Sequence, residues 1–403
     1  MGTIRLSGLL EAVAERHPRR LAFGDQPGRE AWSGRPRIAW TYANAQHIVA
    51  RLATFLERLG LPPGAPVGIS LPNSSEACVA LLAVERAGYI PCLLPVSWSE
   101  EWLGRALEVA QISAVLCQGC LADERPAETF CRLAAGYFGL RFICAFGPQV
   151  PDGVIDLDRV ILDTRAEQTW PEGAGHAGFV TFEADGGKLR PLFRPVASAI
   201  AAAVDFLVSE PIAAGDRIFS LIAPDDHRGL TTGLVAALVA GATLEGQGLF
   251  DAGAFIHTLS AAEPTHLVAP AWMETVLARA GLPGNVVSTV LVHEAPVRFK
   301  LRGELKTPVT DVLAFGERAC IARRRPSSGH LTFAIGDDGV AEAAAGALLR
   351  ISRDEDGAIS FGGSAAETFP FQRGSPQIPA QTPAWHPSGF KADLFAGVVI
   401  GVR

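Results

Sequence analysis

Residues 56–117 read LERLGLPPGAPVGISLPNSSEACVALLAVERAGYIPCLLPVSWSEEWLGRALEVAQISAVLC, and the order of signals within them decides the fold. The run APVGISLP is short, apolar and bounded by turn residues, which suits a buried strand. Asn73 or Ser74 can cap the helix that follows, and Gly88 ends it. YIPCLLP is a second strand. Ser97 and Glu100 then have capping-box spacing ahead of EWLGRALEVAQ, and SAVLC opens a third strand. Just upstream, NAQHIVARLATFLERLG places Ile48, Val49, Leu52, Phe55, Leu56 and Leu59 on one helical face. Strands separated by single helices pair in parallel through right-handed crossovers.

A second run of the same kind starts near Phe179. It holds a helix over about 196–208 and the strand DRIFSLIAP. The helix GLTTGLVAALVAG and the strand ATLEG follow, then a helix from about Asp251. The strand THLVAP, the helix AWMETVLARAG and the strand STVLVHEAP close the run. Beyond Pro326 the signals become short and glycine-interrupted: HLTFAIG, GALLRIS, GAISFGG. Residues 369–387 carry five prolines and read as an extended loop. The expectation is an α/β protein with doubly wound bodies over 1–168 and 169–325 and a small β-rich piece over 326–403.

Composition narrows the function classes. Among 403 residues, 48% are hydrophobic and 19% charged, enough for a large core. A net charge of −7 argues against nucleic acid, and the run Arg323 to Arg325 reads as a solvated turn. GLTTGLVAALVAGATL is too short, and too rich in Gly and Thr, to span a bilayer. The first twenty residues read as an amphipathic helix and not a secretory leader, so a cytoplasmic protein is expected. Cys117 and Cys120 form a CxxC, but no second pair or nearby His completes a zinc set, so reduced thiols and no metal are expected.

The stretch 56–117 resembles the opening subdomain of the adenylate-forming ligases, the superfamily of acyl-CoA synthetases and peptide-synthetase adenylation domains. GDRIFSLIAPDDHRGLTTGLVAALVAGATLE and PTHLVAPAWMETVLA resemble its second subdomain. The resemblance implies ATP-dependent formation of an acyl adenylate. That reaction needs phosphate donors, a metal, a ribose-binding carboxylate and a lysine near the acyl group.

Laid on this pattern, several positions depart from it. At the phosphate loop, Thr181, Gly186, Gly187 and Lys188 fit, but Phe182, Glu183, Ala184 and Asp185 replace small and hydroxyl residues. A surface hairpin with a type I′-like turn is the other reading of this segment. At the adenine wall Glu294, Ala295 and Pro296 fit, while His293 replaces a glycine; alternatively His293 and Glu294 pair with each other. Phe315 and Gly316 fit the metal motif, but Glu317 is displaced by one position, with Arg318 and Ala319 following. A surface arginine partner for Glu317 is the alternative. At the ribose motif Trp385, Ser388 and Gly389 fit, and Phe390 stands where an aspartate is needed. Asp226 and His227, with Asp225 and Arg228, are acyl-pocket candidates or an ion-pair network.

These departures lead to the expectation of a pseudoenzyme: an N-terminal domain without the mobile lysine-bearing domain, with no catalytic residues and no cofactor. It would bind a small acyl or aryl ligand, a protein partner or a second copy of itself. The alternative is an active ligase that uses ATP and Mg and borrows a lysine domain in trans. Any pocket is expected between the two α/β bodies, near residues 179–188, His227 and residues 293–296.

Overall fold

The computed structural model describes residues 4–166, 176–299, 305–326, 348–380, 385–395 and 398–403. The expected strand HLTFAIG lies outside them. Three sheets form among the described residues.

The first sheet is built on the stretch quoted above. Pro66–Ser70 pairs in parallel with Ile90–Leu93 on one side and Ala114–Gln118 on the other, and Phe142–Phe146 and Ile155–Asp156 continue it. The connecting helix Ser75–Arg86 is buried along its whole length. Its sequence is apolar on every face apart from Glu76, Glu85 and Arg86, as a helix enclosed by other layers must be. Ser74 is its cap, accepting from the Ala77 N–H. The next helix, Glu100–Ala110, is capped by Ser99, which accepts from the Trp102 N–H, and not by Ser97. The Ser97–Glu100 spacing misleads because Glu100 is already the first helical residue.

The other edge of the first sheet comes from further along the chain. Gly178–Asp185 lies beside Ile90–Leu93 and turns back antiparallel as Lys188–Pro195. Phe369–Gln372 pairs with that return strand, and Ser375–Pro376 pairs with Phe369–Gln372 in turn. The proline-rich segment is therefore partly sheet. Its prolines sit at an edge, where a missing donor costs no interior ladder bond.

The second sheet runs from Ala319–Arg324 through Val309–Phe315, Val286–Glu294, Thr265–Pro270, Arg217–Ser220 and Thr243–Gly246 to Leu21–Asp25 and Ala39–Thr41. The N-terminal strand Leu21–Asp25 thus joins this sheet, parallel to Thr243–Gly246, although its neighbours in sequence build the first. Arg324 and Arg325 belong to this body and not to a solvated turn. Arg324 bonds Glu210, and Arg325 bonds Asp311 and Glu274. One apolar core runs from Leu6 through Val67, Leu81 and Leu244 to Val312, so both sheets and their helices pack as one body.

The third sheet is antiparallel and consists of Arg350–Arg353, Ala358–Gly362, His386–Phe395, Val398–Val402 and Val297–Arg298. It packs through Phe361, Phe390 and Val399 against Leu313 and Phe315 of the second sheet. The three sheets converge on one edge, where the parallel strands of both large sheets end.

Candidate functional site

At that edge lies a cleft of about 920 Å³. Its lining combines loops that follow parallel strands, the usual place for ligands in open α/β sheets, with residues inside the hairpin and third-sheet strands. Leu93 and Pro95 come from the first sheet, and Phe182, Glu183 and Ala184 from its hairpin. Asp225, Asp226 and Arg228 follow Arg217–Ser220. Glu294 ends Val286–Glu294 and Ala295 and Pro296 follow it, and Gly316, Glu317 and Arg318 follow Val309–Phe315. Ser388, Gly389 and Phe390 reach in from the third sheet. Residues read from five separate stretches of sequence therefore share one cavity.

Several expected residues do not line it. Gly186 and Gly187 have φ of 54° and 79° and connect Asp185 to Lys188 as a two-residue hairpin turn, a type I′ geometry open to glycine. The turn and Lys188 are exposed, and Arg105 on the first body holds the Gly187 carbonyl at 2.7 Å. Thr181 is buried behind the cleft wall and hydrogen-bonds Glu317. His227 is fully buried; its backbone N–H donates to Glu317 at 3.0 Å and its Nδ1 meets Thr231 at 3.1 Å, while its Nε2 has no partner. His293 faces a second, smaller chamber of about 400 Å³ beside the first, together with Trp272, Val292 and Val297.

The ion pairs also differ from the sequence reading. His293 bonds Asp311 at 2.8 Å and not Glu294. Glu294 instead pairs with Arg228 at 2.5 Å, and Arg228 also holds Asp226, so Asp226 and Arg228 form the pair while His227 stays outside it. Glu317 has no surface arginine partner among the described residues. It is buried, and its backbone carbonyl accepts from the buried guanidinium of Arg194 at 2.8 Å. Arg194, which the sequence reading passed over, also donates to the carbonyls of Ala365 and Arg318 and to Ser198. An arginine inside PLFRP followed four residues on by Ser198 was the available signal.

Arg318 and Glu183 form a two-pronged ion pair, both contacts 2.9 Å, that ties the hairpin of the first sheet to the turn of the second. Two charged residues that replace family positions thus neutralise one another across the cleft.

Burial, and then the charge of Asp226, pushes the Glu317 carboxyl up to about 8, and the same two causes raise Asp225 to about 7. Burial and then the Arg194 charge hold His227 well below its ordinary value. Burial brings Arg194 down to about 10 despite Glu317. Glu317 binds its proton more tightly folded than unfolded, so its contribution to stability shrinks as pH rises from 4.5 toward about 8. Thermal melts across this window are expected to show wild type losing stability with rising pH and Glu317→Gln losing less. Parallel profiles would contradict the assignment.

ATP and Mg can be tested against these residues. A carboxylate about 5 Å from a phosphate opposes it by roughly 3 kcal/mol at intermediate dielectric. Here Arg318, one of three arginines lining the cleft, is already taken by Glu183. Phe390, expected from the resemblance at the ribose position, packs its ring edge-on against Phe315 at 5.7 Å and accepts no hydrogen bond. Among the described residues no group of three or more His, Cys, Asp or Glu is placed to hold a metal. Cys117 and Cys120 point apart, toward the Cys144 carbonyl and toward Arg125. The site does not fit Mg-ATP by the family's route.

Residues 10–136 match the family model described as AMP-binding enzyme. Over 151 residues the chain is 38% identical to a salicyl-AMP ligase / salicyl-S-ArCP synthetase of Mycobacterium tuberculosis, covering 36% of this chain and 25% of that protein. Over 117 residues it is 33% identical to the phosphinothricin tripeptide synthetase PhsC of Streptomyces viridochromogenes, covering 29% and 10%. The matches thus span a quarter or less of these relatives. Among solved structures, the N-terminal subdomain of Klebsiella oxytoca NpsA in complex with anthranilyl-AMSN superposes with a TM-score of 0.68, at 14% identity, over 100% of both chains. The unliganded O-succinylbenzoate coenzyme A synthetase MenE of Bacillus subtilis gives 0.72 at 17%, over 98% of this chain and 78% of that one. Residues 10–136 are thus similar to AMP-binding enzymes, and the chain has the fold of the solved N-terminal subdomain and synthetase it superposes on. No helix among the described residues is long and apolar enough to cross a membrane.

Proposed function

We propose that this chain is a pseudoenzyme of the adenylate-forming ligase fold, one that binds a small molecule in the three-sheet cleft and does not adenylate it. The observation that carries this reading is the Glu183–Arg318 ion pair across the cleft. It occupies one cation that could meet a triphosphate and one carboxylate that could meet its metal. Phe390 at the ribose position supports the same reading. The intact cleft of about 920 Å³ supports retained binding, since a cavity of that size suits a small-molecule ligand. The free thiols are compatible with a reducing, cytoplasmic setting.

The alternative, an active ligase that takes its lysine from another chain, draws on that same intact cleft. Pyrophosphate release separates the two. With Mg-ATP and salicylate, anthranilate or O-succinylbenzoate, the acids suggested by the relatives, the purified chain is expected to release none above background. Acid-dependent release would favour the ligase.

A further inference from the structure

The charges and rings around the cleft point to the kind of ligand it holds, an inference that rests on the small-molecule reading above. Five carboxylates face the main chamber: Glu183, Asp225, Asp226, Glu294 and Glu317. Three arginines face it with them: Arg190, Arg228 and Arg318. Arg318 is taken by Glu183, and Arg228 is shared between Asp226 and Glu294. Glu317 is satisfied by Thr181 and the His227 N–H.

Asp225 is different. It is partly exposed and lines both the main chamber and the second one. Its carboxyl accepts only from its own backbone N–H, and it has no hydrogen bond or ion pair to another side chain among the described residues. The other four carboxylates already have partners, so among the described residues Asp225 is the one left to accept from a ligand. Around it the chambers present aromatic surface: Trp98 edge-on to Phe182 at 5.6 Å, Phe390, and Trp272 at the mouth of the second chamber. Ring faces in the same chambers as a carboxylate with no side-chain partner suit a cation on an apolar body.

We propose that the cleft binds an organic cation, an amine carried on a flat apolar body, with Asp225 as the acceptor of the ammonium group. The carboxylic acids handled by enzymes of this fold are then the poorer ligands here.

Three compounds with one ring system test this: tryptamine, tryptophol and indoleacetate, titrated calorimetrically into the purified protein at pH 8. Tryptamine is expected to bind about tenfold tighter than indoleacetate, with tryptophol between them. Asp225→Asn, verified as folded by its melting curve, is expected to lose that preference while still binding tryptophol. Indoleacetate binding as tightly as tryptamine, or tighter, would overturn the cation assignment and leave the small-molecule reading standing. No binding of any of the three to the folded protein would overturn both. Should Asp225→Asn fail to fold, the ranking in wild type decides alone. A tryptamine preference unchanged in folded Asp225→Asn would remove Asp225 as the acceptor.

Discussion

Arg194→Ala is expected to unfold at a temperature several degrees below wild type, with a loss of about 3–5 kcal/mol. Arg194 is among the largest fully buried side chains in the molecule. Its guanidinium bonds Ser198 and the carbonyls of Ala365, Glu317 and Arg318, joining the first sheet to the turn of the second and to the segment that leaves Ala358–Gly362 of the third. Removing it leaves three carbonyls without this donor, two of them in buried bonds, and takes a positive charge away from Glu317. Arg194→Lys keeps the charge but cannot reach four acceptors in a planar fork, so a partial loss is expected. Thermal and denaturant melts of both variants measure this. A loss below about 1 kcal/mol for the alanine variant would mean the site does not depend on this junction.

Gly229→Ala should be nearly as damaging, for a different reason. The backbone at Gly229 is ordinary helix, with φ −66°, so the added methyl causes no dihedral strain. The difficulty is space: a Cβ there would lie 1.7 Å from the Ala223 carbonyl oxygen and 2.5 Å from its carbon. Backbone cannot rotate away as a side-chain tip can, so the loop carrying Asp225, Asp226 and His227 has to move. A stability loss of about 3 kcal/mol is expected, the upper end of the usual overpacking cost, together with loss of ligand binding in the cleft. Gly186→Ala makes the contrast. Nothing lies within 4 Å of a Cβ at that position, and only its φ of 54° is unfavourable, so about 1 kcal/mol is expected with the cleft unaffected. Melting curves and a ligand titration on the two variants test the pair; equal effects would contradict it.

The parts of this molecule legible in its sequence are those set by local signals. Ser74 as a cap, Gly88 as a stop and the alternation of short apolar runs with single helices are local, and they suffice for the parallel core of both large sheets. The adjacent glycines at 186 and 187 announce a hairpin turn for the same reason. What sequence could not place depends on which distant segments meet. Leu21–Asp25 looks like any short strand, and only packing assigns it to the second sheet. Prolines in 369–387 signal irregularity, but a sheet edge tolerates them as well as a loop does. The family resemblance gathered Glu294, Gly316 and Ser388 into one site, and the cleft brings them together. It could not reveal that Arg318 answers Glu183, because the two substitutions lie 135 residues apart and only their contact gives them meaning.

The most direct test of the central claim is a calorimetric titration of the folded protein with Mg-ATP into the millimolar range. The ion pair between Glu183 and Arg318 and the ring of Phe390 lead to an expectation of no saturable heat. One-to-one binding of Mg-ATP would contradict the account, and the cleft would then have to be read as a working nucleotide site.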